Sequence, residues 1–494
     1  MGMLAPFFNL GISALVHSLA TRVPPRGFGS GILFLSLSLS LIAQSTDVSD
    51  EAFWESIYED HRVLEIDILL TDQAWQSMQP VRNERDFGPP RGGVRREPGV
   101  APYPYVKANL SIDGQRFENA GLRFKGNSSY RFARNGFKRP LKIDTNRFVK
   151  GQKIHGRSKL NLSNSFLDPA FMKEKLAYEV YRAAGMPTPG VGWARVTLTI
   201  EGKFEKRPLG VYVLVEQVDQ RFIKKHFGEA TKGSLLMKPE TASNWRSPIG
   251  DSEWGEPYGI KFGEGSDALI RRFEELQSLI HGGREDDFER EVHQRMDLDL
   301  LAGYLAATSL LVNIDSYIGM PHNYYLFVGK GDGRLRLLPW DLNESFGTFT
   351  MGSTPEALVD WDIDRPWVSE IKLLRRLFEM ESFQKRYRSA VVGLMKTTFT
   401  EEKLFGRIAA FEKALVRSLG SDDAIKMRMG IEGDSRGYNA AVGRRVFAIK
   451  PFIRKRIASV KNQLLDKSHG TKLREGRHRN PGPKKRDRPR RLNP

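Results

Sequence analysis

The chain has 494 residues, 40% of them hydrophobic, enough for a sizeable core and incompatible with a disordered protein. It contains no cysteine, which excludes disulfides, thiolate metal sites and a cysteine nucleophile. The formal charge of +18 is unevenly spread: residues 467–494 hold eleven Lys/Arg against two acids, +9 of the total, so the body is only mildly basic.

Arg22 and Arg26 precede an apolar, serine-rich stretch at 32–43, then AQS and acidic, polar sequence. This pattern predicts a signal peptide over residues 1–45, with cleavage near Ser45 and export. The apolar stretch at 4–19 lengthens its n-region, through either a start further in or a hairpin-like double segment. Residues 46–104 combine the strand-like VLEIDILL, the helix-prone TDQAWQSM and an Arg/Gly/Pro-rich loop. Beyond them, apolar and polar residues alternate on both sides of Asp113-Gly114, which predicts a hairpin ending in a small-residue turn at 126–129. FKRPLKIDT and KLNLSN read as further strands.

A helix is expected next, with Asp168 as N-cap, Pro169 at its start and Gly185 past its end. At 100° per residue Met172, Leu176, Val180 and Ala183 form one stripe. Glu179 falls inside that stripe and Glu174 opposite, so Glu179 is expected to be buried and to need a cation. VGWARVTLTI and GVYVLVEQVD are strand-like, and QRFIKKHF is helix-like. From residue 220 the pattern is mainly helical, with amphipathic segments at 266–281 and 298–312, interrupted by the strands YYLFV and RLRLLPW. The Pro-, Gly- and Arg-rich tail, 467–494, is expected to be disordered.

One constellation carries chemistry. A helix delivers Asp315 at its end, Asn323 opens a strand, a tight turn returns it, and Asp341 stands at the far end. An antiparallel hairpin brings its outer ends together, so Asn323 and Asp341 are expected side by side as hard-oxygen ligands suited to Mg²⁺. Asp315, set back from them, is placed to accept a proton from a substrate hydroxyl. Taken alone, an Asp that ends a strand more often caps a turn; the ordered trio makes the functional reading the stronger one. His155, His281 and His322 do not cluster at metal-ligand spacing and read as structural.

The order of parts is that of a protein kinase. GLRFKGNSS, PLKIDT, EKLAYEVYRAAGMPTP, LGVYVLVEQVD, HNYYLF and LLPWDLNESFG resemble the spore coat protein H (CotH) kinase family from about residue 63 to 465. The resemblance implies an α+β, atypical bilobal protein-kinase-like fold, with a β-rich nucleotide-binding lobe over 105–219 and a mainly helical catalytic lobe over 220–466. It also implies ATP with Mg²⁺ or Mn²⁺ as cofactors, and Ser/Thr of envelope, coat or secreted proteins as substrate. Lys125, Gly126 and Ser128 would form the phosphate loop. Lys142, with Lys138 and Arg139 as rivals, would contact phosphates and pair with Glu179. Glu216 would lie at the hinge near the adenine, Asp315 would be the base, and Asn323 and Asp341 would hold metal. Two departures stand out: the family's D-L-D metal segment carries Asn343 at its third position, and Met320-Pro321 replaces more polar residues.

A kinase-like binding module acting as an adhesin or coat scaffold is the alternative, and a hydrolase using Asp315 and Asp341 as paired carboxylates is a third class. The hydrolase leaves an amide and a lysine–glutamate pair without a task. The basic tail suits an anionic envelope surface or acidic substrates, and nucleic acid is an improbable partner for an exported protein.

Overall fold

The computed structural model describes residues 50–80, 103–126, 128–228, 232–239, 258–263, 267–368, 370–433 and 445–473. The signal-peptide expectation, most of the Arg/Gly/Pro-rich loop and the tail from residue 474 lie outside them. The described residues from 53 onward form one compact unit.

Seven strands close into a barrel: β1 (Val63–Leu70), β2 (Val106–Ile112), β3 (Gln115–Phe124), β4 (Leu141–Asp144), β5 (Lys159–Ser163), β6 (Val191–Ile200) and β7 (Phe204–Val215). The β2–β3 hairpin turns where its sequence says: Ile112 faces Gln115, and Asp113 and Gly114 take φ of 48° and 82°, the two positive values that a tight hairpin turn needs. The barrel order is β1-β2-β3-β4-β5-β7-β6, closed by a parallel pairing of β1 with β6 in which Ile66 faces Val196. A second, antiparallel sheet has the order β11-β10-β8-β9, with β8 (Leu235–Pro239), β9 (Tyr258–Phe262), β10 (Tyr324–Val328) and β11 (Leu335–Pro339).

The barrel wall β6–β7 serves two cores, because side chains alternate across a strand. Tyr212 and Leu214 point into the barrel with Ala194 and Val196. Val211, Val213, Val215 and Trp193 point outward into a larger helical core. That core begins at Ala170, so the expected lobe boundary at residue 219 cuts through it.

Three helices position the site. With a helix at residues 50–58 as α1, α2 is Asp72–Ser77, α3 is Ser128–Ala133 and α4 is Lys173–Ala183. α4 packs against β6, against Leu298–Leu311 and against Glu401–Leu415. It is therefore buried on nearly every side, Lys173, Glu174 and Lys175 included, and the single apolar stripe expected of it does not exist. Asp168 lies upstream of the helix, accepting from the backbone N–H groups of Lys173 and Ala170 at 2.7 and 3.1 Å. Leu298–Leu311 runs through the middle of the helical core and ends at Val312 in a left-handed conformation (φ 48°). The last helix, Ile449–Leu464, packs across the C-terminal body.

The start of the tail is folded, contrary to expectation. Thr471 pairs with Trp361 as a parallel bridge, its hydroxyl donates to Asp360 Oδ2 at 2.8 Å, and Leu473 is buried. Two residues with something to bond and something apolar to bury suffice to dock it; the boundary of the tail moves from 467 to 474.

Candidate active site

Between the barrel and the second sheet lies a cavity of about 410 Å³. Its barrel wall is built by register: Arg123 faces Lys142 across β3–β4, and Lys142 faces Asn161 across β4–β5, so a row of polar side chains points the same way. Lys125, Gly126 and Lys159 extend that wall, and Lys238, Lys261, Tyr325 and Trp340 face it from the second sheet. Six cations thus line one cavity with only Asp219 and Asp341 as acids, an arrangement that calls for a polyanion. Crowding is felt most by Lys142. Burial, then Arg123, Lys125, Lys159 and Lys238, push its ammonium down to about 7. Trp340 carries the ammonium groups of Lys125 and Lys238 5.9 and 5.5 Å from its ring centre.

The loop residues expected at the phosphates divide. Lys125 and Gly126 line the cavity; Gly126 has φ 76°, and a Cβ there would meet Ser129 Oγ at 2.2 Å, so the turn needs glycine. Ser128 opens α3 and is not on the wall. The rivals of Lys142 are excluded by their own contacts. Lys138 lies over the rings of Phe171 and Tyr212, and Arg139 is bonded to the carbonyls of Gly136 and Arg134.

The expected Lys142–Glu179 pair does not form. Lys142 Nζ donates to Gln217 Oε1 at 2.7 Å. Glu179 accepts a two-pronged bond from Arg407, Nε to Oε2 at 2.8 Å and Nη2 to Oε1 at 2.5 Å. Its cation comes from a helix 228 residues away, which no local period can reveal. Glu216 is also structural: it is 8% exposed, pairs with Arg157 at 2.5 Å and accepts from the Gly190 N–H at 2.9 Å. The hinge segment does line the cavity, through Gln217, Val218 and Asp219.

A second carboxylate of α4, Glu174, which periodicity places opposite Glu179, lines a small separate pocket with Asp168 and Asn343, beside the cavity's Asp341. It is 3% exposed, its Oε2 has no hydrogen-bond partner among the described residues, and burial followed by neighbouring Asp341 raises its carboxyl to about 8. Two acids crowded in a buried corner with an orphaned oxygen suit a divalent cation.

The second hairpin behaves as expected. Tyr324 faces Pro339, and the Trp340 N–H donates to the Asn323 carbonyl at 3.2 Å, so Asn323 and Asp341 meet at the open end. Both take left-handed backbone (φ 58°), and the Asp341 N–H donates to the Tyr178 hydroxyl of α4 at 3.2 Å. The Asn323 amide donates to the Asp315 carbonyl at 2.9 Å and to Asp315 Oδ2 at 3.0 Å. Spending both hydrogens there leaves its Oδ1 as the atom available to a cation. Among the described residues no cluster of three His, Asp or Glu side chains is disposed to hold a metal. Of the histidines, His322 is not merely structural: its Nε2 lies 3.1 Å from Asp315 Oδ1.

The family model for CotH kinase protein matches residues 122–460. The chain belongs to the CotH kinase protein family. It is 23% identical over 268 residues to the inner spore coat protein H of Bacillus subtilis (strain 168), covering 53% of this chain and 69% of that protein. It is 24% identical over 260 residues to the inner spore coat protein H-like protein of the same organism, covering 52% and 68%. The Helicobacter pylori proinflammatory kinase CtkA matches over 69% of this chain and 95% of its own, at 10% identity and a TM-score of 0.25, too low to bear on this chain's chemistry. Membership makes this a kinase-like protein with bacterial coat relatives, and points to ATP and a divalent metal. The cavity wall, Glu174, Asp341 and the Asp315–Asn323 pair all belong to elements inside or bounding the matched region.

Proposed function

We propose that this CotH family protein is an ATP-dependent kinase that transfers the γ-phosphate to Ser or Thr hydroxyls of coat, envelope or secreted proteins. The observation that carries the reading is the cavity itself: six cations on its walls and a carboxylate–amide corner at one end, with a candidate base behind it. Arg123, Lys125 and Lys142 bind and orient the phosphates, and Trp340 with Tyr325 excludes water from one side. Glu174, Asp341 and Asn323 Oδ1 would hold Mg²⁺ or Mn²⁺, which when bound neutralises charge on phosphate oxygens. Asp315, held by Asn323, accepts the proton of the substrate hydroxyl as the O–P bond forms and the β–γ bridge breaks. Export, and attachment of the basic tail to an anionic envelope surface, belong to the same proposal.

The test pairs calorimetry of Mg-ATP binding with transfer from labelled ATP to a Ser/Thr protein. Asp341→Ala is expected to reduce transfer by at least about 100-fold, since a preorganised charge partner at the reacting phosphate is worth that much. Asp315→Ala is expected to reduce transfer similarly while ATP affinity stays within twofold of the parent. Nucleotide-dependent thermal stabilisation without transfer would instead select the scaffold. If Asp341→Ala transferred phosphate as well as the parent, the kinase reading would be wrong.

A further inference from the structure

The loop from Val312 to Asn323 presents one carboxylate, Asp315, before its partly exposed end at residues 320–323. Residues 311–314 and 316–319 are buried, and Asp315 alone among them reaches the surface of the cleft. Internal bonds hold the loop: the Ser316 hydroxyl donates to the Asn313 carbonyl at 2.7 Å, and the Val368 N–H donates to the Ile318 carbonyl at 2.9 Å. The backbone of Asp315 is therefore fixed. Its side chain is not, because an aspartate on a fixed backbone still rotates about two bonds.

Two groups remove that freedom. The Asn323 amide takes Oδ2, as described. On the other side the His322 ring reaches back over Pro321: Nε2 lies 3.1 Å from Asp315 Oδ1, and Nδ1 is bonded to the Met320 carbonyl. We infer that His322 is a positioning residue, a doubly hydrogen-bonded ring that locks the Asp315 carboxylate in the orientation its role as base requires. The inference rests on the kinase reading of Asp315.

Donor and acceptor accounting supports it. A carbonyl oxygen can only accept, so Nδ1 must carry a hydrogen. Nε2 is engaged by Asp315 Oδ1, so the ring is held between two fixed oxygens. The same geometry excludes His322 as the base itself, because both of its nitrogens are already engaged. Two donors weaken Asp315 as a base, yet that loss is small for this chemistry: the phosphoryl transition state is loose, bond making to the hydroxyl is late, and correct placement matters more than basicity. Asp315 is thus clamped from both sides, one oxygen to the His322 ring and one to the Asn323 amide.

The experiment compares His322→Ala, His322→Gln and His322→Arg in the full chain. Expected for His322→Ala is a fall in kcat of about 10- to 100-fold, the range of a misplaced catalytic group, with the Mg-ATP Kd within twofold of the parent and an unchanged melting temperature. Arginine, a cationic donor, should restore more of kcat than glutamine, a neutral one. In Asp315→Asn the further change His322→Ala should cost nothing, because the two act as a unit. A kcat within twofold of the parent for His322→Ala overturns the inference. So does a parallel loss of kcat, ATP affinity and melting temperature in all three variants, which would mark a role in folding. A second readout does not need transfer. In ring-¹⁵N-histidine spectra, with the His322 signals assigned by their absence in His322→Gln, Asp315→Asn should shift the His322 ring signals of the parent. If the parent transferred no phosphate, the kinase reading would fail while this contact could still be seen. Unshifted signals would overturn the contact itself.

Discussion

Buried cations in the helical body and in the cleft are treated in opposite ways. Arg456, fully buried, donates to the carbonyls of Val359 and Trp361 at 3.1 and 2.6 Å and to that of Ser309 at 3.0 Å. Arg376 donates to the carbonyls of Leu279 and Ile280 at the negative end of the helix Asp267–Gly282, to those of Gly283 and Arg284 in the link that follows, and to Glu285. Lys142 has one neutral acceptor, Gln217, and four cationic neighbours. The difference teaches what each group is for. A cation supplied with backbone oxygens holds elements together; a cation crowded by its own kind beside a cavity is completed by an anion from outside.

The largest expected effect breaks the first class. Arg456→Met leaves the Val359 carbonyl without its guanidinium donor, while those of Trp361 and Ser309 keep Gln463 and the Val312 N–H, and should lower unfolding stability by about 1–3 kcal/mol, read from denaturant midpoints with ATP binding unaltered in the surviving native fraction. Smaller loss would mean that water replaces the guanidinium.

At the carboxylate corner, Glu174→Gln relieves crowding against Asp341. The melting temperature without divalent ions should rise by about 2–4 °C, and the further rise on adding Mg²⁺ or Mn²⁺ should vanish. Glu179→Gln, which touches Arg407 instead, should leave that divalent response intact; the reverse result would restore Glu179 to the site.

The cationic wall gives a pH signature. Lys142 is held at about 7, well below its unfolded value of 10.5, so the folded state binds fewer protons than the unfolded one between those limits. Its burial therefore destabilises the fold as pH falls from 10.5 toward 7, and Lys142→Met should gain stability below pH 10. A polyphosphate restores the charge, so ATP binding at pH 8 should take up close to one proton, little near pH 6, and none of this in Lys142→Met. Calorimetry in buffers of different ionisation enthalpy measures it directly.

The smallest effect concerns the tail. Ending the chain after residue 473 should leave the melting temperature unchanged. Ending it after 466 removes the Thr471 bonds and Leu473, and should lower it by about 2–4 °C.

What the sequence determined by itself is local or bounded by a hairpin. Asp113-Gly114 specifies its turn through two positive φ values, and YYLFV-GKGDG-RLRLLPW specifies a hairpin whose ends come together, so the placement of Asn323 and Asp341 near the Asp315 loop was legible. Family motifs added the row at Lys125 and Lys142. Tertiary structure decided everything that depends on a distant partner. Glu179 is neutralised by Arg407 and Glu216 by Arg157, both across long separations, so each had a task that local reading could not see. Glu174 is buried beside Asp341 because the N-terminal turns of α4 are enclosed on nearly every side, which erases the periodicity that assigns a buried face. His322 needed only a seven-residue reach to Asp315, yet that contact depends on where the Asp315 side chain points, and that direction is fixed by the folded loop. Periodicity reports one interface at a time; a residue shared between two cores, or between a core and a cleft, carries no period of its own.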